Sequence, residues 1–557
     1  MPAVVTAPRG LGRDPRVTAL ALAVTWCLLL SCFIHDTAVG YFPVDDEWAW
    51  LANSSLELNR PLEWFRGTGH YFSDYPGIEP PAANFLRPVV NLVYALIQLM
   101  LGPFSAGGLY FNVLAISLGA GLTYWACAAI HPHADRRLAL GLAALLPMLP
   151  AFGPSLTPLL MPSSGFDIVA AVFCLAAYMA YRRERQWLTI VFLSLAVLTK
   201  ETALPAVAMF PLHYALERRE GFFKNKQVMA RAILLMFPIL LWLALRLNAY
   251  GSLAGGVYAV SLSPGSVLRR IFAWPFFSDT LLPALQNTPA IRILDAPLRA
   301  INVLFAAGVL TVTAVRLLRG RVPGLAELCF LASYAFLLLT GFYARYGAVL
   351  DVFLLLTLAA WWAEHPRTRA LGLGLLVFAV TICAYKSALV YPHLHASFQR
   401  LHTVARSYAE LLHGFAEGEK VLVLNDPTTR HARLQWMETL IDSKADVVKA
   451  ADFGWTALWL NPGAACEVGL AEVRDRPGRY LFRQSCGIEL LGPHLISGSR
   501  PVEMKLSEWA SVKLVPTRLP GVSATVWQEM TVELSAGPVR LVYFDPVGDR
   551  WNQRLVP

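Results

Sequence analysis

Charged residues are scarce in this 557-residue chain: Asp, Glu, Lys and Arg make up 15% of it, whereas hydrophobic residues make up 56%. Apolar blocks long enough to cross a hydrocarbon core of about 30 Å recur along the chain. This composition excludes a soluble globular protein. It indicates an all-α polytopic membrane protein, for which the blocks predict about eleven transmembrane helices.

Several sequence signatures are missing. There is neither a Walker loop nor a dinucleotide-binding fingerprint, which argues against a nucleotide-driven pump. Paired half-repeats with interrupted helices, which a secondary transporter would be expected to carry, are not seen. The pairs His131 with His133 and His393 with His395 have no third plausible ligand nearby, so they predict no metal site.

Cysteine is rare in the polar part of the chain. Six of the eight cysteines lie in apolar blocks, where cysteine packs as a small hydrophobic residue. Only Cys466 and Cys486 lie in the polar C-terminal region. If that region faces an oxidising compartment the two could form a disulfide, and the sequence leaves pairing and non-pairing equally open.

The net charge of +9 comes entirely from the apolar part, because the stretch from residue 400 to the end holds 18 basic and 18 acidic residues. Basic loops of membrane proteins face the cytoplasm. The arginines at 182–185, 218–231, 316–321 and 367–369 therefore mark cytoplasmic loops. That assignment places the N-terminus inside and the C-terminal region outside.

Two domains follow from this topology. Residues 1–395 form the membrane domain, with an external loop at 37–86. Residues 396–557 form an extracytoplasmic domain of α+β or β-rich type, because short β-like runs alternate there with Gly and Pro turns. The helix count between residues 88 and 165 stays open: either the block at 88–104 lies along the interface or residues 138–165 cross twice.

Three consecutive carboxylates, Asp45, Asp46 and Glu47, lie in the external loop just beyond the first apolar helix. Such neighbours repel one another, which raises at least one pKa unless cations or hydrogen bonds compensate. A carboxylate held there can accept a proton from an attacking hydroxyl or ligate a divalent cation. A solvated acidic loop is the simpler alternative.

Four cations are predicted at the same membrane face as the acidic trio: Arg87, Lys200, Arg246 and Arg345. Lys200 and its neighbour Glu201 lie between two apolar blocks, where charges are costly unless they face a cavity or each other. Any single one can be explained by snorkelling to the headgroups. Four cations opposite a carboxylate cluster instead favour a binding site for an anionic phosphate group.

The order of these features resembles the GT-C superfamily of membrane glycosyltransferases, which includes protein O-mannosyltransferases and aminoarabinose transferases. The resemblance covers about residues 1 to 390 and depends on five motifs in the family's order. They are Asp45-Asp46-Glu47, Arg87-Pro88, Ser164-Gly165-Phe166-Asp167, Leu198-Thr199-Lys200-Glu201 and Arg246 near the end of a long helix. Two features depart from the pattern: no basic residue stands between Gly165 and Asp167, and no tetratricopeptide array follows.

The resemblance implies a cell-envelope enzyme, active on the outer face, that takes a donor sugar from a polyprenyl or dolichyl phosphate. Asp45 or Asp46 would be the general base that deprotonates a hydroxyl of a glycan, lipid or protein acceptor, with inversion at the anomeric carbon. Arg87, Lys200, Arg246 and Arg345 would hold the phosphate, with further site candidates at Glu201, Tyr346 and Asp167. The resemblance assigns no particular cofactor, and a divalent cation is compatible with the acids.

Two other functions stay in view. A secondary transporter of an anionic or sugar-lipid substrate would use the same intramembrane charges as a pathway. A non-catalytic envelope assembly protein would keep the shape of the family and would tolerate loss of Asp45 and Asp46.

Overall fold

The computed structural model is mostly helical, with a β-rich C-terminal region. It describes residues 14–43, 51, 86–102, 104–130, 136–149, 159, 165–219, 225–250, 265, 289–340, 344–427, 441, 443–450, 467–474, 476–489, 502–517, 526–535 and 537–557.

The described helices occupy the first three quarters of the chain. They are α1 (Pro15–Val39), α2 (Pro88–Leu101), α3 (Gly107–Ile130), α4 (Arg136–Leu145), α5 (Phe166–Arg182), α6 (Gln186–Thr199), α7 (Leu204–Glu217), α8 (Lys226–Tyr250), α9 (Pro289–Leu318), α10 (Leu325–Thr340), α11 (Ala348–Glu364) and α12 (Pro366–His413). Short 3₁₀ turns lie at Leu146–Met148, Glu201–Ala203 and Ala344–Gly347.

Proline and capping residues mark where several helices begin. Asp14 accepts a hydrogen bond from the backbone N–H of Arg16 at 2.9 Å and caps α1, whose first residue is Pro15. Proline is favoured at the first helical position because its missing N–H needs no partner there. Pro88 and Pro366 start α2 and α12 in the same way.

Five described helices contain a segment long and apolar enough to cross a membrane: Pro15–Val39, Gly107–Ala128, Lys226–Asn248, Ala296–Leu318 and Pro366–Lys386. The prediction of an integral membrane protein is therefore confirmed. The predicted count of about eleven spans is not reached by these helices and stays a prediction. The ten residues of α4 reach only about 15 Å, half of the hydrocarbon core.

The membrane helices pack around a buried centre. Helix α1 lies against α3, α3 against α5, and α5 against α6. Helix α11 is buried on nearly every side, from Ala348 to Ala359. A helix that is apolar all round and fully enclosed lies in the interior of a bundle. Helix α11 is thus the central element against which α5 and α10 pack.

The C-terminal region contains two sheets. Its strands are β1 (Lys420–Val423), β2 (Asp446–Lys449), β3 (Val468–Glu472), β4 (Arg479–Glu489), β5 (Val502–Lys505), β6 (Ala510–Thr517), β7 (Val526–Leu534), β8 (Val539–Asp545) and β9 (Arg550–Val556). The first sheet has the order β2-β1-β8-β9, with β1 parallel to β2 and to β8. The second is antiparallel, in the order β3-β4-β7-β6-β5.

Helix α12 connects the two parts of the molecule. It runs for 48 residues without interruption and crosses the predicted domain boundary at residue 396. Its C-terminal half packs on the first sheet, where the rings of Tyr408 and Trp551 stack at 4.5 Å and Trp551 donates from Nε1 to the carbonyl of Val404 at 3.2 Å. The division into residues 1–395 and 396–557 stays a prediction.

Candidate functional site

The turn between α6 and α7 presents two adjacent charged residues. Lys200 has an extended backbone, with φ −155° and ψ 133°, which ends α6 at Thr199. A 3₁₀ turn from Glu201 to Ala203 follows and leads into α7. Because Lys200 lies outside both helices, its side chain and that of Glu201 reach different neighbours.

Glu201 binds Arg87, the residue before α2. Nη2 and Nε of Arg87 donate to Oε1 and Oε2 of Glu201 at 2.5 Å and 3.2 Å. The side chains are 7% and 22% exposed. This two-pronged geometry is the strongest type of carboxylate pairing available to a side chain, and it fixes the guanidinium plane.

Lys200 binds Asp167, in the first turn of α5. Nζ of Lys200 lies 3.3 Å from Oδ2 of Asp167, and the side chains are 6% and 2% exposed. The hydroxyl of Thr202 donates to Oδ1 of the same carboxylate at 2.8 Å. The ammonium also lies 5.0 Å from the centre of the Tyr346 ring, within the range of a cation–π contact.

A glycine fixes the start of α5 and therefore the position of Asp167. A Cβ added to Gly165 would overlap with the side-chain amide of Asn112, a buried residue of α3. Only glycine lets these two helices approach so closely. The ring of Phe166 packs against Tyr94 of α2 at a centroid distance of 5.7 Å, so the start of α5 contacts both α3 and α2.

These contacts bring five predicted site residues into one cluster: Arg87, Asp167, Lys200, Glu201 and Tyr346. The sequence predicted the cations opposite the acidic trio; in the structure two of them also have carboxylate partners of their own. The two pairs add up to no net charge. They hold the guanidinium and the ammonium in fixed positions at the ends of apolar helices.

Arg246 is buried near the end of α8, and the contact described for it is with Trp242, whose ring centre lies 5.5 Å from the guanidinium carbon. That contact lies within one helix, so the membership of Arg246 in the cluster stays a prediction. Asp45, Asp46 and Glu47 lie outside the described residues, as does the side chain of Arg345. Their roles stay predictions as well.

Sequence analysis missed two residues that hold the beginning of the acidic loop. His402 of α12 is completely buried, and its Nδ1 lies within hydrogen-bonding distance of both the N–H and the carbonyl of Phe42. Nη2 of Arg406 donates to the carbonyls of Gly40 and Tyr41 at 3.4 Å and 3.3 Å. The only available sequence signal was the spacing of four residues, which places His402 and Arg406 on one face of a helix.

His402 lies beyond the candidate membrane span of α12, which ends at Lys386. Burial lowers the pKa of this imidazole to about 4, although the hydrogen bond to the backbone of Phe42 acts in the opposite direction. Its Nε2 is buried without a hydrogen-bond partner among the described residues. The imidazole is therefore neutral at pH 7.

Within the ranges given above, no group of three or more His, Cys, Asp or Glu side chains is arranged to hold a metal ion. The acidic trio lies outside those ranges, so a divalent cation beside it stays a prediction. Cys27, Cys32, Cys127, Cys174 and Cys329 have free thiols. Cys466 and the side chain of Cys486 lie outside the described part, so a disulfide between them stays as open as the sequence left it.

No family model and no curated protein matches the chain. A crystal structure of ArnT from Cupriavidus metallidurans bound to undecaprenyl phosphate is similar at 13% sequence identity and a TM-score of 0.40, over 77% of this chain and 85% of that one. At that identity and score the likeness establishes neither a shared fold nor a shared activity.

Proposed function

We propose that this chain is an inverting glycosyltransferase of the GT-C type, which moves a sugar from a polyprenyl or dolichyl phosphate to a hydroxyl acceptor. The observation that carries the proposal is the cluster of one buried and one partly buried cation–carboxylate pair at the ends of apolar helices. Charges buried in a membrane protein are costly and usually mark a substrate site. The order of the sequence motifs supports the same function.

The phosphate of the donor would bind to Arg87 and Lys200. A guanidinium has five N–H donors and an ammonium has three. The bonds to Glu201 use two donors of Arg87, and the pair with Asp167 uses one of Lys200. The carboxylates therefore orient the two cations. Arg246 and Arg345 would complete the cradle.

The chemistry needs a base, a cationic cradle and a path for the lipid tail. The acceptor oxygen forms a bond to the anomeric carbon while the bond from that carbon to the phosphate oxygen breaks. The phosphate leaves with the electron pair, and the proton of the acceptor hydroxyl passes to Asp45 or Asp46. A single displacement of this kind inverts the anomeric configuration. Glu47 would sit beside the base and either tune its pKa or share a divalent cation.

The proposed topology places about eleven helices in the membrane and the reaction on the outer face. It also places the β-rich region outside, where it would help to choose the acceptor. His402 and Arg406 hold residues 40–42, so the outer half of α12 would set where the acidic loop begins.

The first test is sugar transfer by Asp45→Asn and Asp46→Asn. A general base contributes about 10²- to 10⁴-fold, so at least one variant should lose activity by two or more orders of magnitude at unchanged membrane expression. The exposed Arg319, changed to Ala, is the control and should keep full activity. Wild-type turnover in both acidic variants would remove the proposed base and favour an assembly protein.

A second test concerns the phosphate. Arg87→Ala should raise the KM for the donor more than the KM for the acceptor, because only the donor carries a phosphate. Arg87→Lys keeps the charge but loses the two-pronged bond, and it should fall between wild type and Ala. Equal effects on donor and acceptor would argue against a phosphate role. Movement of labelled sugar-lipid across vesicles without transfer would favour a transporter.

A further inference from the structure

A second charged region lies at the other ends of the same helices. Helix α5 runs 17 residues, about 25 Å, from the candidate site to Arg182. A cavity of about 290 Å³ opens there between the ends of α5 to α8. It lies on the side that the basic loops assign to the cytoplasm, so it cannot be part of the cluster around Lys200.

The lining of this cavity is mixed: polar side chains such as Gln186 and Thr189 surround a small apolar floor. Tyr214 and Leu235 line it and belong to a small buried cluster with Ile190 and Ala232. The rim, in contrast, carries arginines from three helices or helix ends: Arg182, Arg218 and Arg231. An anionic lipid carries apolar acyl chains next to a negatively charged headgroup. The apolar floor and the cationic rim match these two parts.

The carboxylates of the rim already face other partners. Glu184 lies 3.9 Å from Arg218, whose guanidinium carbon also lies 4.6 Å from the centre of the Tyr214 ring. Glu217 lies 3.6 Å from Nδ1 of His213. Across the part of the chain that the structure describes, Arg182 and Arg231 have no carboxylate within 4.0 Å.

A neighbouring cavity of similar volume shows how this chain balances arginine elsewhere. It shares Arg182 and Glu217 with the first cavity and is also lined by Arg316. There Arg316 lies between two carboxylates, at 2.5 Å from Glu327 and 2.6 Å from Glu364. Among the described residues, Arg182 and Arg231, which are exposed to solvent, lack this compensation.

We propose that the cavity between α5 and α8 binds a phosphate group, with Arg182 and Arg231 on its oxygens. Arginine forms two-pronged bonds to phosphate and stays charged at any physiological pH. The apolar floor favours a lipid of the adjacent leaflet as the source, with its glycerol and first acyl carbons over Tyr214 and Leu235. A soluble phosphate would use the same arginines without the floor.

The test uses the full chain in detergent and measures bound lipid by native mass spectrometry. Phosphatidylglycerol should be retained over phosphatidylcholine of identical chains. Arg182→Gln and Arg231→Gln should each weaken retention about tenfold or more, since the pair of charge-assisted bonds lost is worth about 1.4 kcal/mol or more. Arg182→Lys, which keeps the charge, should retain part of the binding. Arg319→Gln, an exposed arginine of the same face that lines neither cavity, should change nothing.

Two further outcomes decide the source and the proposal. If inorganic phosphate at millimolar concentration displaces phosphatidylglycerol, and does so only when both arginines are present, the site is a phosphate site with a soluble ligand. If it does not compete, the ligand is the lipid. Equal retention of phosphatidylglycerol by the wild type and by a variant that carries both Arg182→Gln and Arg231→Gln would overturn the proposal. So would equal retention of phosphatidylcholine and phosphatidylglycerol by the wild type.

Discussion

The buried pair of Lys200 and Asp167 predicts a large coupling energy between two charged side chains. The side chains are 6% and 2% exposed, and the charged atoms are 3.3 Å apart. At an effective dielectric constant of about 20 their attraction is roughly 5 kcal/mol. Removing one partner of a buried pair costs about 3–5 kcal/mol, whereas replacing both by neutral residues of similar volume is often nearly neutral. Each single change should therefore be much worse than the double change.

The experiment is a double-mutant cycle with Asp167→Asn and Lys200→Met, in which the free energy of unfolding is measured by denaturant titration in mixed micelles. The single variants should each lose about 3–5 kcal/mol, and the coupling energy should reach about 3 kcal/mol or more. The matched control is the exposed pair of Arg483 and Glu529, whose side chains are 63% and 46% exposed at 2.8 Å. An exposed pair should couple by about 1 kcal/mol or less.

Additive effects at Lys200 and Asp167 would refute this reasoning. They would mean that the two charges are separately solvated, so that the cluster is open to water rather than buried. A coupling no larger than that of Arg483 and Glu529 would have the same meaning. The argument that buried charge marks a functional site would then lose its basis.

Two more predictions follow from the helices around the site. Gly165→Ala should lower the free energy of unfolding by about 1–3 kcal/mol, because the new Cβ overlaps with the Asn112 amide. The control Gly141→Ala, whose new Cβ has nothing within 4 Å, should be neutral or stabilising. Equal effects of the two changes in thermal melts would contradict the close helix contact. The pKa of His402 is lowered from 6.5 to about 4, so the unfolded chain binds more protons than the folded chain between these pH values. The free energy of unfolding should therefore fall by about 3 kcal/mol in total as the pH falls from about 6.5 to 4. Above that window the pH should have no effect through this residue. His402→Asn can still bond to Phe42 but cannot titrate, so its melting temperature should depend less on pH there, and an unchanged pH dependence would count against burial of a neutral imidazole.

Much of the fold was predictable because hydropathy is a property of local sequence. The apolar blocks at 109–130 and 229–248 correspond to α3 and α8, which are long enough to cross a bilayer. The run Val539–Phe544 corresponds to β8, because a short run of β-branched and aromatic residues favours a strand. The 48-residue length of α12 was not predicted, since its C-terminal half alternates buried and exposed residues and gives no hydropathy signal.

The sequence predicted some of the residues that belong to the site, but not which of their side chains contact each other. Lys200 and Glu201 stood out because charges between apolar blocks are costly. Nothing local indicates that Glu201 meets Arg87, since 114 residues separate them. His402 and Phe42 are 360 residues apart, and their contact exists only because α12 returns to the end of α1. Such long-range contacts are set by the packing of the whole bundle.

The most direct measurement of the central claim is a cryo-electron microscopy structure of the chain with a polyprenyl phosphate bound. The account predicts the phosphate at hydrogen-bonding distance, about 3 Å, from Arg87 and Lys200, with Asp45 or Asp46 facing it. A phosphate bound elsewhere, or side chains of the acidic trio directed away from Arg87, would contradict it.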